Sequence, residues 1–379
     1  MKQSRRSFLK DSFAISATLT ASRAAFASEH AQSDSPKKTA TLQKADYKRI
    51  ATEEAWAPSE LLDTYRKMAA SKSFDDPGFV AMWSRLGSRA QLTARLADID
   101  EGRIRDMDAA GIDMQVLSLT SPGVQVFDSA TANSLASTTN DAVAEAIRKY
   151  PTRFAGLAAA APQDPPAAAK EIERGVRKLG LKGVIINSHT RGEFLDDPKF
   201  WDIFEAAEAL NVPIYLHPQT PPPAMISPYV ERGLESAILG FGAENGLHAL
   251  AIIRSGAFDR FPKLQIVLGH GGEALPFWLF RLDYMNRSAR PNIRNGAAKL
   301  NRKPSEYMKE NIYVTTSGMA WAPVITFLQS VLGMERVLYA MDYPYQYELN
   351  EVIETDNVTI SKSDKKKLFQ TNAEKVFAL

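Results

Sequence analysis

The chain has 379 residues, of which 45% are hydrophobic and 24% are charged, which is an ordinary composition for a globular protein large enough to form a (β/α) barrel. It contains no cysteine, which excludes thiolate metal ligands, a thiol nucleophile and disulfides. The formal net charge is only +2, and no stretch in the body of the chain is long and apolar enough to span a bilayer. We therefore expect neither a nucleic-acid partner nor a membrane-embedded domain.

The first 27 residues predict an export signal of the twin-arginine type. The sequence SRRSFLK at residues 4–10 precedes a weakly apolar run that ends in the small-x-small motif Ala25-Phe26-Ala27. The alternative is a basic disordered tail. Cleavage after Ala27 would leave 41 basic and 43 acidic residues, so the apparent basicity belongs mainly to this segment. We expect a protein exported folded to the periplasm, with a polar linker over residues 28–46, one domain over residues 47–379, and no membrane insertion after cleavage.

Beyond the linker, short apolar runs rich in β-branched residues alternate with helical patterns. Predicted helices cover, for example, residues 132–149, 166–179 and 198–209. The predicted strands are nearly continuous in apolar residues, as parallel strands covered on both faces are, and they span residues 49–53, 114–120, 154–160, 183–187, 213–217, 264–270, 312–316 and 337–341. Eight such units predict an α/β fold of the (β/α)8 TIM-barrel type. A doubly wound open sheet is the alternative, but no Gly-x-Gly-x-x-Gly motif follows any strand.

Polar residues stand at or just after the carboxyl ends of these strands. In a (β/α)8 barrel this is the end at which catalytic residues gather. The residues in question are Glu53, Thr120, Asn187, His189, His217, His270, Thr316, Ser317 and Asp342. A set this polar after strands this apolar predicts a functional site at the mouth of the barrel.

Glu53, His217 and Asp342 form the candidate metal-binding set within that group. Two carboxylates and an imidazole bind a divalent cation and leave positions open for substrate or water. A cation would also explain why a buried strand ends on adjacent acids, because it neutralises Glu53, whereas Glu54 would cap a backbone or pair with a basic residue behind the strand. The oxygen-rich set favours Mn²⁺, followed by Zn²⁺ or Mg²⁺.

Four segments carry a resemblance to a known family: ATEEAWA, YLHP, LGHGGEALPFWLFRLDYM and YAMDYPYQ. They resemble the amidohydrolase superfamily and, more narrowly, its metal-dependent, non-hydrolytic aromatic acid decarboxylases, among them the 5-carboxyvanillate decarboxylases. The resemblance implies that Glu53, His217 and Asp342 are the metal ligands. Ala55 stands where the hydrolases of the superfamily have a second histidine, and no lysine ends strand four. One metal ion per chain is therefore expected.

The same resemblance implies the other site residues. Asp342 would donate a proton to the substrate ring, with His270 beside it as the second catalytic group. Arg89 and Arg281 match arginines that bind the carboxyl or ring substituents of the substrate, and Phe241 and Tyr345 match aromatic pocket residues. His248 lies at helical spacing among apolar residues, so it either packs in the core or lines the pocket.

These observations predict a carboxy-lyase that acts on an ortho-hydroxylated aromatic carboxylic acid of the 5-carboxyvanillate or γ-resorcylate type. The phenolate would make the carboxylated carbon electron-rich enough to accept a proton before CO2 leaves. A metal-dependent hydrolase of the same superfamily, acting on a lactone or ester, is the alternative, and the export signal favours it. A binding protein that has lost its metal is a third. The partners expected are a small aromatic acid and further copies of the chain, as a dimer or tetramer.

Overall fold

Parallel strands that alternate with helices make up the part of the chain that the structure, a computed structural model, describes: residues 45–288 and 300–379. The chain divides into two units, Met1–Leu42 and Gln43–Leu379, and the described residues fall in the second. The predicted signal at residues 1–27 and nearly all of the predicted linker at residues 28–46 lie outside the described residues. Among the helices that are described, none is long and apolar enough to cross a membrane.

All strand pairings are parallel, as the apolar runs predict. The strands are β1 Ile50–Trp56, β2 Met114–Leu119, β3 Phe154–Gly156, β4 Ala158–Ala159, β5 Val184–Ile186, β6 Ile214–Leu216, β7 Ile266–Leu268, β8 Ile312–Thr315 and β9 Val337–Leu338. They form two ladders, β1 to β3 and β4 to β9, in chain order. Each strand therefore lies beside its sequence neighbour, which is the order of a (β/α)8 barrel.

Two junctions join the ladders into a closed ring. At Leu157, between β3 and β4, the amide bonds to Leu117 O at 2.9 Å, whereas the next amide, of Ala158, bonds to Gly183 O at 2.8 Å. β3 and β4 are thus one barrel strand that changes partner at Leu157, which makes eight barrel strands in all. The other junction is between β9 and β1, where the Thr52 amide bonds to Tyr339 O at 3.1 Å. The predicted (β/α)8 TIM barrel is confirmed.

Helices follow the strands around the outside of the barrel. The helices are Ser59–Ala70, Pro77–Leu86, Ala90–Ala97, Glu101–Ala110, Ser129–Lys149, Pro165–Arg177, Trp201–Leu210, Ser227–Val230, Gly240–Ser255, Ala257–Arg260, Leu275–Asn286, Pro304–Asn311, Ala322–Leu332, Glu351–Asp356, Lys362–Lys366 and Asn372–Phe377. Short 3₁₀ turns occur at Pro198–Phe200 and Met334–Arg336, and a π-helical turn occurs at Lys367–Thr371. Four of the helices lie between β1 and β2, and one of them, Pro77–Leu86, together with Arg89 after it, lines the cavity at the mouth of the barrel.

Alternation along each strand separates two hydrophobic cores. Ile214 and Leu216 pack in the outer core, between strands and helices, whereas Tyr215 packs in the inner one. Because side chains alternate between the faces of a strand, the next inward position on β6 falls on His217. The same count along β8 places Thr315 inward after Tyr313. The strand pattern therefore directs a set of polar side chains into the barrel mouth.

Candidate metal centre and substrate cavity

Glu53, His270 and Asp342 converge at the mouth of the barrel, His270 and Asp342 just after β7 and β9. Glu53 does not end its strand as predicted, because β1 continues to Trp56. One ligand atom from each of the three residues lies within 4.8 Å of the others, which is a spacing that a metal ion can bridge. His217, at the end of β6, adjoins the group, because its Nε2 lies 3.4 Å from Glu53 Oε1. The group with this spacing therefore contains His270 where the sequence predicts His217, and His217 lies next to it through Glu53.

The two oxygens of Glu53 have different surroundings. Oε2 accepts hydrogen bonds from the Tyr215 hydroxyl and from Thr315 Oγ1, the latter at 3.1 Å. Oε1 is buried without any hydrogen-bond partner and lies 3.4 Å from the Nε2 atoms of both His217 and His270. A buried carboxylate oxygen is costly unless something compensates it. A cation held by Oε1 and an imidazole nitrogen would supply that compensation.

Gly269 makes room for Glu53. It lies two residues after the inward-facing Val267 of β7, so its own side chain would point into the barrel. A Cβ at this position would lie 2.7 Å from Glu53 Oε2. Any larger residue would therefore displace the carboxylate from its position against Tyr215.

His217 is arranged as a neutral ligand. Its Nδ1 donates a hydrogen bond to the carbonyl of Pro218 at 2.8 Å, so that the lone pair of Nε2 faces Glu53. Burial lowers the pKa of His217 to about 4, against the opposing effect of Glu53. A neutral imidazole whose other nitrogen is held by a carbonyl is the form in which histidine binds metals.

His270 has the opposite character, because carboxylates face both of its nitrogens. Its Nδ1 donates to Glu273 Oε1 at 2.9 Å, and its Nε2 faces Glu53 Oε1. Burial lowers the pKa of His270, but Glu53 and Glu273 outweigh it and raise that pKa to about 10. Of the two histidines, His270 is therefore the one that holds a proton readily, which suits a proton-transfer role.

A left-handed turn holds the His270–Glu273 pair in place. All five residues from 270 to 274 have positive φ, between 52° and 78°. Outside glycine this conformation costs about 1–2 kcal/mol per residue, and only two of the five are glycines. Such strain persists where the surroundings fix the conformation, and it is common at functional sites.

Asp342 also has a left-handed backbone, with φ of 64°. Its side chain is buried, and burial together with the neighbouring Glu53 raises the pKa of Asp342 well above its usual value. A carboxyl group with a raised pKa can carry a proton near neutrality, whereas a bound cation would favour its ionised form.

These residues fit a divalent cation. The set offers the unpartnered Glu53 oxygen, the Nε2 lone pair of His217 and the carboxylate of Asp342, and it has the mixed oxygen and nitrogen donors that suit Mn²⁺ or Zn²⁺. When bound, such an ion supplies Lewis acidity and a template for substrate oxygens.

A cavity of about 470 Å³ opens above the metal-binding residues. That volume is within the usual range for a small-molecule site. His217, His270 and Asp342 line its floor, and Arg89, Phe241 and Tyr345 lie in its walls, as the sequence predicts. Tyr345 is held in place by a 2.6 Å hydrogen bond between its hydroxyl group and that of Thr120.

The structure does not bring the other two predicted substrate-binding residues to this cavity. Arg281 lies exposed on the helix Leu275–Asn286 and does not line the cavity of its own chain. His248 is fully buried in the helix Gly240–Ser255, where its Nε2 accepts from the Leu195 amide at 2.8 Å and its Nδ1 contacts Ser188 Oγ at 2.9 Å. With both nitrogens paired in the core, His248 has no free group to offer a substrate.

Sequence reasoning missed three residues of the site: Tyr215, Glu273 and Arg85. Tyr215 could have been found from strand periodicity, because it precedes His217 by two positions on β6. Glu273 follows His270 by three residues, but only the left-handed turn reveals that the two side chains meet. Arg85 lies in the last turn of the helix Pro77–Leu86, whereas Arg89 precedes the next helix, and Arg85 lines the cavity as a second cation.

Comparison with known proteins agrees with this geometry. The model of the amidohydrolase family matches residues 76–379. γ-Resorcylate decarboxylase of Polaromonas sp. (strain JS666) is 36% identical over 341 residues, which cover 87% of this chain and 98% of that protein.

Solved structures extend the comparison. The 5-carboxyvanillate decarboxylase of Novosphingobium aromaticivorans, solved with manganese and 4-hydroxy-3-methoxy-5-nitrobenzoic acid, is 49% identical with a TM-score of 0.86, over 89% of this chain and 98% of that one. The dihydroxybenzoic acid decarboxylase of Polaromonas sp. JS666, solved with manganese and 2-nitroresorcinol, is 34% identical with a TM-score of 0.76, over 88% of this chain and 97% of that one. The chain belongs to the amidohydrolase family and, within it, to the metal-dependent, non-hydrolytic aromatic acid decarboxylases.

Proposed function

We propose that this protein removes CO2 from an aromatic carboxylic acid that carries a hydroxyl group ortho to the carboxylate, with one Mn²⁺ ion at Glu53, His217 and Asp342. The observation that carries the proposal is the buried, unpartnered Glu53 oxygen that faces two imidazole nitrogens on the floor of a cavity lined by Arg85 and Arg89. The similarity to 5-carboxyvanillate and γ-resorcylate decarboxylases supports the substrate class.

Different residues of the site bind the metal, the anionic oxygens of the substrate and its ring. A bound cation would act as a Lewis acid for the phenolate and carboxylate oxygens. The guanidinium groups of Arg85 and Arg89 can hold the remaining anionic oxygens of the substrate in bidentate fashion. Phe241 and Tyr345 give the cavity aromatic walls against which a flat ring can pack.

Asp342 is the proposed acid. It gives its proton to the ring carbon that bears the carboxylate, the carbon–carboxylate bond then breaks, and the electron pair of that bond restores the aromatic ring as CO2 leaves. His270, within the same 4.8 Å group and held by Glu273, holds the proton that returns Asp342 to its acid form. A positioned general acid of this kind contributes roughly 10²- to 10⁴-fold to a rate.

The experiment is a comparison of substrates on the Mn²⁺-loaded protein. 5-Carboxyvanillate and γ-resorcylate should release CO2, whereas the same acids without the ortho hydroxyl should react about 10⁴-fold more slowly, because a site built around a polar group rejects analogues that lack it. The metal-stripped protein is the control, and restored Mn²⁺ should restore turnover. Equal turnover of hydroxylated and deoxy acids would refute the phenolate mechanism. Hydrolysis of aromatic lactones without any decarboxylation would favour a hydrolase instead.

We also propose that the chain forms a homo-oligomer through the helix Leu275–Asn286. This helix carries large apolar side chains that face solvent, including Phe277 at 72% and Phe280 at 86% exposure, and Trp321 lies exposed as well. Contiguous exposed aromatic residues are typical of protein interfaces. Arg281 lies on the same helix, so its predicted contact with substrate would require the cavity of a neighbouring copy.

Light scattering tests the oligomer. The wild-type protein should be a dimer or tetramer, and Phe280→Asp should shift it to a monomer, because a charge on this face opposes burial. A monomeric wild type would contradict the proposal. The matched control is Lys170→Asp, on the helix Pro165–Arg177, which should leave the assembly unchanged.

We further propose that the protein is exported folded to the periplasm by the twin-arginine route. The support is the paired Arg5 and Arg6 and the small-x-small motif that ends at Ala27. In a host with this pathway, the double variant Arg5→Lys, Arg6→Lys keeps the charge but should leave the protein in the cytoplasm. Periplasmic recovery of the double variant at the wild-type level would contradict the twin-arginine assignment.

A further inference from the structure

Glu54, next to the metal ligand Glu53 on β1, contacts the backbone on both sides of Asp342. Its side chain is fully buried. Oε1 accepts a hydrogen bond from the Met341 amide at 3.0 Å, and Oε2 accepts one from the Tyr343 amide at 3.3 Å. One carboxylate therefore holds the two amides that flank the predicted metal ligand and acid.

Asp342 needs such support because its backbone has the left-handed φ of 64°. A strained residue keeps its conformation only where neighbouring contacts fix it. Besides Glu54, the Ala55 amide of β1 donates to Tyr343 O at 2.7 Å, and the Gln346 amide donates to Asp342 O at 3.0 Å. Glu54 is the only side chain among the described residues that is shown bonding to the amides on both sides of Asp342.

Glu54 is itself anchored from behind. The Gln115 side chain of β2 donates to Glu54 Oε2 at 3.4 Å, and the buried Arg103 donates to the carbonyl of the next residue, Ala55, at 2.7 Å. The pairing of β1 with β2 shifts register between Ala51 and Glu54. An irregularity of this kind changes the direction of side chains and is common near active sites. Here it lies at the two adjacent acids of β1, whose side chains face different partners.

We propose that Glu54 is a positioning residue that sets where the Asp342 carboxyl group lies relative to Glu53. Since Glu53 and Glu54 are adjacent on one strand, β1 fixes both acids of the metal-binding set, Glu53 directly and Asp342 through its flanking amides. Only the expected effect of Glu54 on turnover rests on the proposed function. The expected effect of Glu54 on metal affinity does not depend on it.

The test compares Glu54→Gln and Glu54→Asp with Glu244→Gln, a control in which another fully buried glutamate, bonded to Ser188, is changed away from the cavity. In Glu54→Gln, an NH2 group faces one of the two amide donors, so one hydrogen bond is lost. In Glu54→Asp, the charge remains but the shorter side chain cannot reach both amides. Mn²⁺ affinity is measured by the electron paramagnetic resonance signal of free Mn²⁺, and melting temperature is measured for every variant.

Both Glu54 variants should bind Mn²⁺ about 10- to 100-fold more weakly, as is usual when a group that orients a ligand is lost. At saturating Mn²⁺, kcat should fall at least tenfold while KM changes less than threefold, because the lost geometry matters in the transition state. Glu244→Gln should lower the melting temperature but leave Mn²⁺ affinity and kcat within about threefold of wild type.

Three results would overturn the proposal. One is Glu54→Gln with wild-type Mn²⁺ affinity and kcat, and only a lower melting temperature. Another is Glu54→Asp with wild-type affinity while Glu54→Gln is weak, because charge rather than the paired hydrogen bonds would then be responsible. The third is an equal loss in Glu244→Gln. If no hydroxylated benzoate is decarboxylated by the wild type, the proposed function fails, but the Mn²⁺ affinities still decide the role of Glu54.

Discussion

Replacing Asp342 with asparagine should greatly lower turnover without destabilising the metal-free protein. Asparagine has nearly the same shape as aspartate, and among the described residues no group donates a hydrogen bond to the Asp342 carboxylate. The contacts that fix this segment involve its backbone and remain in the variant. The change therefore removes an acid and a charge but no structural contact.

The effect on stability follows from the direction of the pKa shift. Burial and Glu53 raise the pKa of Asp342 in the folded protein above the usual value, which is near 4 in an unfolded chain. The unfolded chain then loses its proton first, so this group lowers the stability of the metal-free protein as pH rises from about 4 towards the folded pKa. Each unit of difference is worth about 1.4 kcal/mol. Asp342→Asn removes that loss, so the metal-free variant should be as stable as wild type or more so.

The effect on rate follows from the proposed proton transfer. Loss of a positioned acid should lower kcat by about 10²- to 10⁴-fold at saturating Mn²⁺. The measurements are CO2 release at saturating metal and substrate, metal content by elemental analysis, and urea unfolding of the metal-free proteins at pH 7. A variant that holds Mn²⁺ and keeps kcat within tenfold of wild type would refute ring protonation by Asp342.

Elemental analysis of the purified protein should find close to one divalent ion per chain, and two ions, or none after supplementation, would contradict the single-metal assignment. Gly269→Ala should lose most of its Mn²⁺, because the added Cβ would lie 2.7 Å from Glu53 Oε2, and normal metal content would refute this. Burial raises the pKa of Glu351 to about 8 from 4.5, so it lowers folded-state stability as pH rises between those values. Glu351→Gln keeps an oxygen acceptor for the Tyr339 hydroxyl. In urea unfolding of the metal-free protein, the stability of this variant should fall less steeply between pH 5 and 8 than that of wild type, by up to about 1.4 kcal/mol per pH unit. Identical slopes for the two proteins would contradict this role of Glu351.

The barrel could be predicted from the sequence because the strands are nearly continuous apolar runs, as strands covered on both faces are. The runs at 213–217 and 312–316 end within two residues of β6 and β8. The run at 154–160 contains a change of hydrogen-bond partner at Leu157 that no residue type marks. Such a break depends on how neighbouring strands meet, which the local sequence does not encode.

Site residues on strands were easier to predict than those on helices. The side chain of His217 follows from strand alternation once its neighbours are known to be buried. The direction of Arg281 or His248 depends on how a whole helix is rotated against the barrel, and apolar neighbours surround both candidates in the sequence. The contact between His270 and Glu273 depends on a left-handed turn, a conformation for which glycines at 271 and 272 are the only local signal.

The junction between β9 and β1 joins segments from opposite ends of the barrel domain. Glu53 and Asp342 lie on either side of it, beside the amide bonds from Thr52 to Tyr339 and from Ala55 to Tyr343. An ion bound by these two acids would link the first strand to the last, and an ion that binds only the folded state would stabilise that state. Native-state hydrogen exchange should therefore slow at Thr52 and Ala55 when Mn²⁺ is added, more than at the amides between β5 and β6. Separation of the first strand from the last would then require release of the metal, so closure of the barrel and completion of the active site would occur together.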